Sequence, residues 1–352
     1  MSPATKLDPL ELDLGELRQT ILRRRQPRRV HFFEHGIADN VKSAAADRFE
    51  LQQTLAASPS SPEFAWAQEI AVQRYLGQEI FRVWPPGAEY KVAGSRGITW
   101  GEEHEGPIQT WEDIERYDWP DPAAIDFSEL EYYERNLPPN MGVFQGAKVW
   151  EVVRELIGFE SFCYKMHEDP ALIDEVTRRV GEFHLALVRT LCDFRCVFAI
   201  YGIDDYAFKT STFFPSDYIR RQFLGWHRQM AELTHAAGKL FFFHCCGDVS
   251  TLMDCFIADL GIEAKHSFED TVIPVTDAKR RWGSQVALLG GLDVDFVARS
   301  DEAAIRRRVR ETLEICQPGG GYCLGLGNWV TSYIPLDNYL TILDEGRKFG
   351  RA

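Results

Sequence analysis

The residues best suited to chemistry in this sequence form the run Phe243-His244-Cys245-Cys246-Gly247-Asp248. Successive side chains of an extended chain alternate faces, so His244 and Cys246 point the same way and can grip one soft metal. Imidazole and thiolate both suit Zn²⁺. Cys245 points away. Zinc needs at least a third ligand and none is adjacent, so the same spacing also reads as a hydrogen-bonded histidine at a strand end beside core thiols. The next group is Asp204-Asp205, just after Ile200-Tyr201-Gly202-Ile203. Close carboxylates raise one another's pKa and supply an acid near neutrality, which makes Asp204 and Asp205 the catalytic candidates. Neighbours on a strand face opposite ways, so the pair also reads as one helix cap and one pocket-facing acid.

Other polar residues close apolar runs in the same manner: Glu34-His35, Gln145, His266, Asp293 and Asn328. Packing gives no reason for a buried strand to end in an acid or an imidazole. With Tyr201, these residues are the expected lining of a substrate pocket. Gly290-Gly291 before Asp293 would let the backbone approach a ligand closely; alternatively Asp293 caps the following helix. Gly319-Gly320-Gly321 lacks the Lys-Ser/Thr ending of a phosphate-binding loop and precedes a strand, so it reads as a tight turn.

The elements that must hold these residues alternate along the chain. Strand-like runs occupy 29–34, 142–145, 196–200, 239–244, 263–266, 285–290 and 321–324, mostly apolar on consecutive residues as in strands buried on both faces. Between them lie helix-length stretches at 149–157, 170–191, 215–237 and 301–316, the third opened by Pro215 and closed by Gly238. The rhythm is α/β with a parallel sheet, in a closed barrel or an open doubly wound form. A stretch at about 81–126, rich in Trp, Gly and Pro (Val83-Trp84-Pro85-Pro86-Gly87, then Gly97-Ile98-Thr99-Trp100-Gly101), interrupts it and reads as a β-hairpin insertion at the rim followed by a loop at Tyr117-Asp118-Trp119-Pro120-Asp121-Pro122. Residues 1–28 form an N-terminal extension, and the whole of 1–352 is expected to be one domain. Such barrels commonly reach ~250 residues before insertions.

Bulk composition removes several function classes. With 45% hydrophobic and 26% charged residues the chain is neither disordered nor membranous. No apolar run nears the ~20 residues of a bilayer span, and the start carries no apolar signal core, so a cytoplasmic protein is expected. A net charge of −14 repels a phosphate backbone despite the basic cluster Arg23-Arg24-Arg25 with Arg28-Arg29, which argues against nucleic acid. Eight irregularly spaced cysteines do not make a disulfide framework.

Several ordered blocks resemble the uroporphyrinogen decarboxylase superfamily: Ala236-Ala237-Gly238-Lys239 leading into Phe243–Asp248, then Asp259-Leu260-Gly261-Ile262-Glu263-Ala264, Leu289-Gly290-Gly291-Leu292-Asp293-Val294, Gly325-Leu326-Gly327-Asn328 and Ile334-Pro335-Leu336-Asp337-Asn338. The resemblance runs from about Arg28 to the C-terminus and implies a (β/α)₈ TIM barrel, here with a helical N-terminal extension. True decarboxylases of that superfamily carry an arginine-rich N-terminal block for substrate carboxylates, whereas the matching stretch here is Phe32-Phe33-Glu34-His35-Gly36. The chain is closer to the corrinoid-dependent methyltransferase branch, whose His-x-Cys-Gly motif is matched by His244, Cys246 and Gly247. The resemblance thereby implies zinc on His244, Cys246 and a distant cysteine. That cysteine's position is occupied by Asn328, with Cys323 five residues earlier, deeper and facing away. Either a loop brings Cys323 round, or Glu34 or another acid replaces the thiolate, or zinc is weakly held or absent; the hypothesis carried forward is an oxygen ligand beside His244 and Cys246.

The resulting expectation is an enzyme that moves a methyl group between a small methylated or methoxylated donor, or a thiol acceptor, and a corrinoid (cobalamin) carried by a partner protein. A homodimer is compatible with the sequence but not specified by it. The rival readings are a metal-independent decarboxylase-like lyase and a non-catalytic ligand-binding barrel.

Overall fold

The structure is a computed structural model that describes residues 6–53, 55, 57–91 and 104–351. Among the described residues seven parallel strands follow one another in chain order: β1 (Ile80–Arg82), β2 (Gly142–Ala147), β3 (Val197–Ile203), β4 (Leu240–His244), β5 (Ala264–His266), β6 (Ala287–Leu289) and β7 (Tyr322–Cys323). Six of them lie where consecutive apolar residues marked the chain. The expected first strand, 29–34, contributes an eighth stave of minimal length. Phe33 N–H donates to Leu324 O (2.9 Å) and Leu324 N–H to His31 O (2.8 Å), beside β7. Toward β1 the ring is joined by side chains, where Arg29 and His31 both reach Glu79, the His31 contact at 2.9 Å. The architecture is the α/β TIM-barrel type.

One strand was not foreseen. Phe81 and Arg82 belong to β1, paired parallel with β2 through Phe81↔Val143 and Arg82↔Phe144, and are therefore barrel wall instead of the start of a rim hairpin. The part of the expected hairpin stretch at Gly97 to Gly101 lies outside the described residues. Residues 104–126 carry the helix Trp111–Arg116, closed at its start by a Thr110–Asp113 capping box, and a short 3₁₀ turn at Pro122–Ala124. No described helix is long and apolar enough to cross a membrane.

Strand periodicity splits the core into two layers. On β4, Phe241 and Phe243 face the surrounding helices while Leu240, Phe242 and His244 face the barrel axis. The lower interior is sealed by helix α1 (Leu14–Ile21), started by the Asp13 side chain, which accepts Glu16 N–H at 2.8 Å. Its Leu17 and Ile21 are almost wholly buried against Leu240, Ala264, Ala287 and Cys323. Each such side chain contributes ~1.5–3 kcal/mol by leaving water. Above this floor Phe33, Phe144, Tyr201 and Phe242 form an aromatic layer, with Phe33 and Phe144 centroids 5.2 Å apart and Phe144 and Tyr201 5.4 Å apart. The next layer up is imidazole: register sets Ile203 abreast of His244, and His244 abreast of His266.

Candidate active site

His244 and His266 end neighbouring strands and lean on each other through their Nδ1 atoms, 2.8 Å apart. His266 Nε2 lies 3.2 Å from Leu326 O. A carbonyl only accepts, so that nitrogen carries the proton and His266 Nδ1 is the lone pair. His244 Nδ1 must then donate, which leaves the lone pair of His244 Nε2 toward Cys246 Sγ (3.3 Å), whose thiol it can accept from, and near Asp205 Oδ1 (3.7 Å). This is the relay that orients a metal-binding histidine, with its second nitrogen tied back to the protein. Burial pushes both imidazoles well below the ordinary histidine range, and the nearby cationic Lys265 adds to the effect on His244, so both rings are neutral.

Cys246 Sγ has donors on its other sides. Ser267 Oγ lies 3.2 Å away and Asn328 Nδ2 3.4 Å away. Ser267 adopts φ +82°, a left-handed backbone that costs a non-glycine residue ~1–3 kcal/mol. Lys265 supports it, its ammonium donating to Ser267 O and to Cys245 O (3.1 Å) over the Phe268 ring. Asp205 is held by Cys246 N–H (2.6 Å). Burial, and for the thiol the charge of Asp205, pushes both Cys246 and Asp205 toward their neutral forms. A divalent cation among them would reverse that preference.

The residues fit such an ion. One ligand atom from each of Asp205, His244 and Cys246 lies within 4.8 Å of the others, an oxygen–nitrogen–sulfur set that suits zinc. His35, His244 and His266 satisfy the same distance test. In that second set, however, His244 Nδ1 and both nitrogens of His266 are already committed to the relay. We therefore assign the first set as the candidate metal ligands. His35 instead stacks on His244 (centroids 4.3 Å, 20° apart) and accepts a hydrogen bond at Nε2 from Arg82 (3.3 Å).

Tyr201 completes the wall, its hydroxyl 3.5 Å from His244 Nδ1. The structure thus gathers His35, Tyr201, Asp205, His244, Cys246, His266 and Asn328 at one mouth, with Glu34 in an adjoining cavity. Glu34 accepts Leu326 N–H at 3.2 Å, and burial pushes its carboxyl well above the usual range.

Four expected residues are elsewhere. Asp204 faces outward and caps the helix Trp150–Ile157: it accepts the N–H groups of Val149 (3.0 Å), Trp150 (3.1 Å) and Glu151 (2.9 Å), the Tyr206 hydroxyl (3.0 Å) and His227 Nε2 (2.5 Å). Burial raises its pKa, yet the His227 bond and charge with these N–H donors outweigh that and hold it below the usual range. Its carboxylate is thus taken up by helix N–H groups, a tyrosine and a histidine outside the group formed by Asp205, His244 and Cys246. Gln145 is fully buried on the outer side of β2, between wall and helices, because the inward positions of that strand are Phe144 and Gly146. Asp293 caps the helix Val294–Arg299, one oxygen accepting Phe296 N–H (2.9 Å) and the other Asp270 N–H (3.2 Å). Cys323 stays in the interior cluster with Leu17 and Leu289, below the imidazole layer, and is in neither group that can hold a metal. No loop brings it round, since the chain climbs from it through Leu324 and Gly325 to put Asn328, not a thiol, beside Cys246. The close approach that Gly290 permits here is to backbone: a Cβ there would lie 2.0 Å from Leu326 O.

Sequence reasoning missed Arg82, Trp84, Ser267 and Trp329. Only Arg82 left a signal, as a charged residue ending the short apolar run Ile80-Phe81.

Comparison with known proteins agrees with this fold. A solved methyltransferase from Methanosarcina mazei superposes over 96% of this chain and 99% of its own, with a TM-score of 0.68 at 17% identity, a likeness of fold. Uroporphyrinogen decarboxylase of Cupriavidus necator is 34% identical over 98 residues, 27% of this chain and 26% of that one. The same enzyme of Nitrosospira multiformis is 33% identical over 100 residues, 27% of each chain. The match thus spans about a quarter of the length of these relatives. The pattern of the uroporphyrinogen decarboxylase (URO-D) family matches residues 101–349, which include all of the barrel from β2 onward, and the chain belongs to that family.

Proposed function

We propose that this protein is a methyltransferase that moves a methyl group between a small substrate and a corrinoid carried by a partner protein. The observation that carries the reading is the lone pair of His244 Nε2, set by the His266–Leu326 relay and converging with Cys246 Sγ and Asp205 Oδ1. Those three residues would hold zinc, with Asp205 as the oxygen ligand where the resemblance implies a second thiol. Zinc there would lower the pKa of a substrate thiol and present it as a thiolate. The protein's own residues hold and exclude. Ser267 and Asn328 donate to the sulfur of Cys246, His266 fixes the tautomer of His244, and the aromatic layer beneath keeps water out, which strengthens every charge above it. The fold likeness to a methyltransferase also supports this reading.

The test is spectroscopic. Zinc-loaded protein mixed with methylcobalamin and a panel of thiols, or with reduced cobalamin and methylated donors, is expected to interconvert the two cobalamin spectra, and Cys246→Ala to abolish the change. No change with any pair would count against the reading. The named activity of the curated relatives favours a second one, a decarboxylase-like lyase. It requires carboxyl loss that survives chelators and the double substitution of His244 and Cys246 by alanine.

A further inference from the structure

Arg82 closes β1 and turns its guanidinium inward beside Gly146 on β2, whose missing Cβ makes room chiefly for Ile203 Cδ1, 2.4 Å from where it would stand, with Arg82 Nη2 in ordinary contact at 3.4 Å. Trp84 and Trp329 flank it, with its guanidinium carbon 5.0 Å and 5.7 Å from their ring centroids. Trp329 can lie there because residue 36 is glycine: a Cβ would meet its ring at 2.4 Å. The indoles hold the cation by cation–π contact, and arginine stacked in this way keeps its planar fork of N–H donors. Its Nη1 donates to His35, while its Nε is buried without a partner. Among the described residues no carboxylate lies within ion-pair distance of it. The arginine faces a cavity of about 510 Å³, lined also by Glu34, Asp39 and Glu69, whose other cations are already matched: Lys42 with Glu69 (2.9 Å) and Asp39 (3.2 Å), and Lys148 with Glu151 (3.4 Å). A half-buried guanidinium held by aromatic rings and given no counter-ion is an expensive arrangement unless an anion visits it.

We propose that Arg82 is the anchor for a substrate carboxylate: the molecule handled in this barrel is a small acid whose carboxylate lies on the guanidinium edge between Trp84 and Trp329. Its reacting end extends past His35 toward His244 and Cys246. The planar fork of arginine matches the two carboxylate oxygens. One imidazole ring, that of His35, lies between Arg82 and His244. The assignment rests on the His244–Cys246 centre being the reacting one, but the anchor is testable without turnover, metal or methyl donor.

Propionate is titrated into chelator-treated protein, with 1-propanol as the neutral control and inorganic phosphate as the alternative anion, followed by tryptophan fluorescence and by calorimetry. Saturable binding of propionate, with neither 1-propanol nor phosphate matching it, is expected. Arg82→Gln should weaken it ~10-fold or more, and Arg82→Lys, which keeps the charge but loses the fork, should fall between. Circular dichroism checks that both variants remain folded. Three results would each overturn the proposal: no carboxylate-specific saturation, tighter binding of phosphate, or propionate binding that Arg82→Gln leaves unchanged. Failure of methyl transfer with intact propionate binding would sink the proposed reaction and leave the anchor standing.

Discussion

Replacing His266 by phenylalanine removes the relay and nothing else of comparable size. The ring footprint is kept against Phe33, 5.5 Å away, while two hydrogen bonds disappear, the 2.8 Å bond from His244 Nδ1 and the 3.2 Å bond to Leu326 O. Loss of a hydrogen-bonded partner behind a metal-binding histidine lowers metal affinity ~10–100-fold, or ~1.4–2.7 kcal/mol. The two orphaned groups cost ~1–3 kcal/mol each in stability, partly offset by the apolar ring. His266→Gln, whose amide can accept from one side and donate to the other, should recover most of the loss. The assay is competition for zinc against a chromophoric chelator, with thermal unfolding of each zinc-free variant alongside. Equal zinc affinity in wild type and His266→Phe, with the fold intact, would refute the tautomer argument. Near-complete loss of zinc in His266→Phe together with tight binding in Cys246→Ser would refute the ligand assignment and favour the three-imidazole set.

The adjacent aspartates should separate cleanly. Asp204→Asn disturbs a buried anion with five donor groups and is expected to cost ~3 kcal/mol or more while leaving zinc stoichiometry unchanged; Asp205→Asn should weaken zinc at nearly constant melting temperature. The reverse pattern in denaturation and metal titrations would exchange their roles. Glu79 joins the two ends of the barrel ring. Burial raises its carboxyl, but the hydrogen bond and charge of His31, with Arg29, outweigh this and leave it below 4.5. A depressed folded pKa contributes stability that is fully present above the unfolded value and lost as pH falls through the folded one, so Glu79→Gln should be less stable at neutral pH and lose less on acidification. Denaturation curves that run parallel for the two proteins between pH ~5 and ~2 would disprove this.

Much of the barrel was legible because its strands are buried on both faces and so appear as unbroken apolar runs, and because parallel strands deliver their ends to one side. That made Asp205, His244, Cys246, His266 and Asn328 readable as neighbours. The period-two rule also placed His244 and Cys246 on one face. β1 escaped because three residues, one of them arginine, are too few to show a pattern.

What the chain's residues determined by themselves was the set of polar groups at strand ends and the hydrophobic rhythm that holds them. Which of those groups look inward was decided only by register and closure. Asp204 and Asp205 differ by one residue and therefore by one face, which sends the first to a helix terminus and the second to the mouth. Asn328 and Cys323 sit on the same ascending segment, but its height within the ring leaves the thiol in the floor and the amide beside Cys246. Arg82 acquires its meaning from His35, Trp84 and Trp329, the last admitted by Gly36, residues far apart in the chain that only the ring of strands brings to one cation.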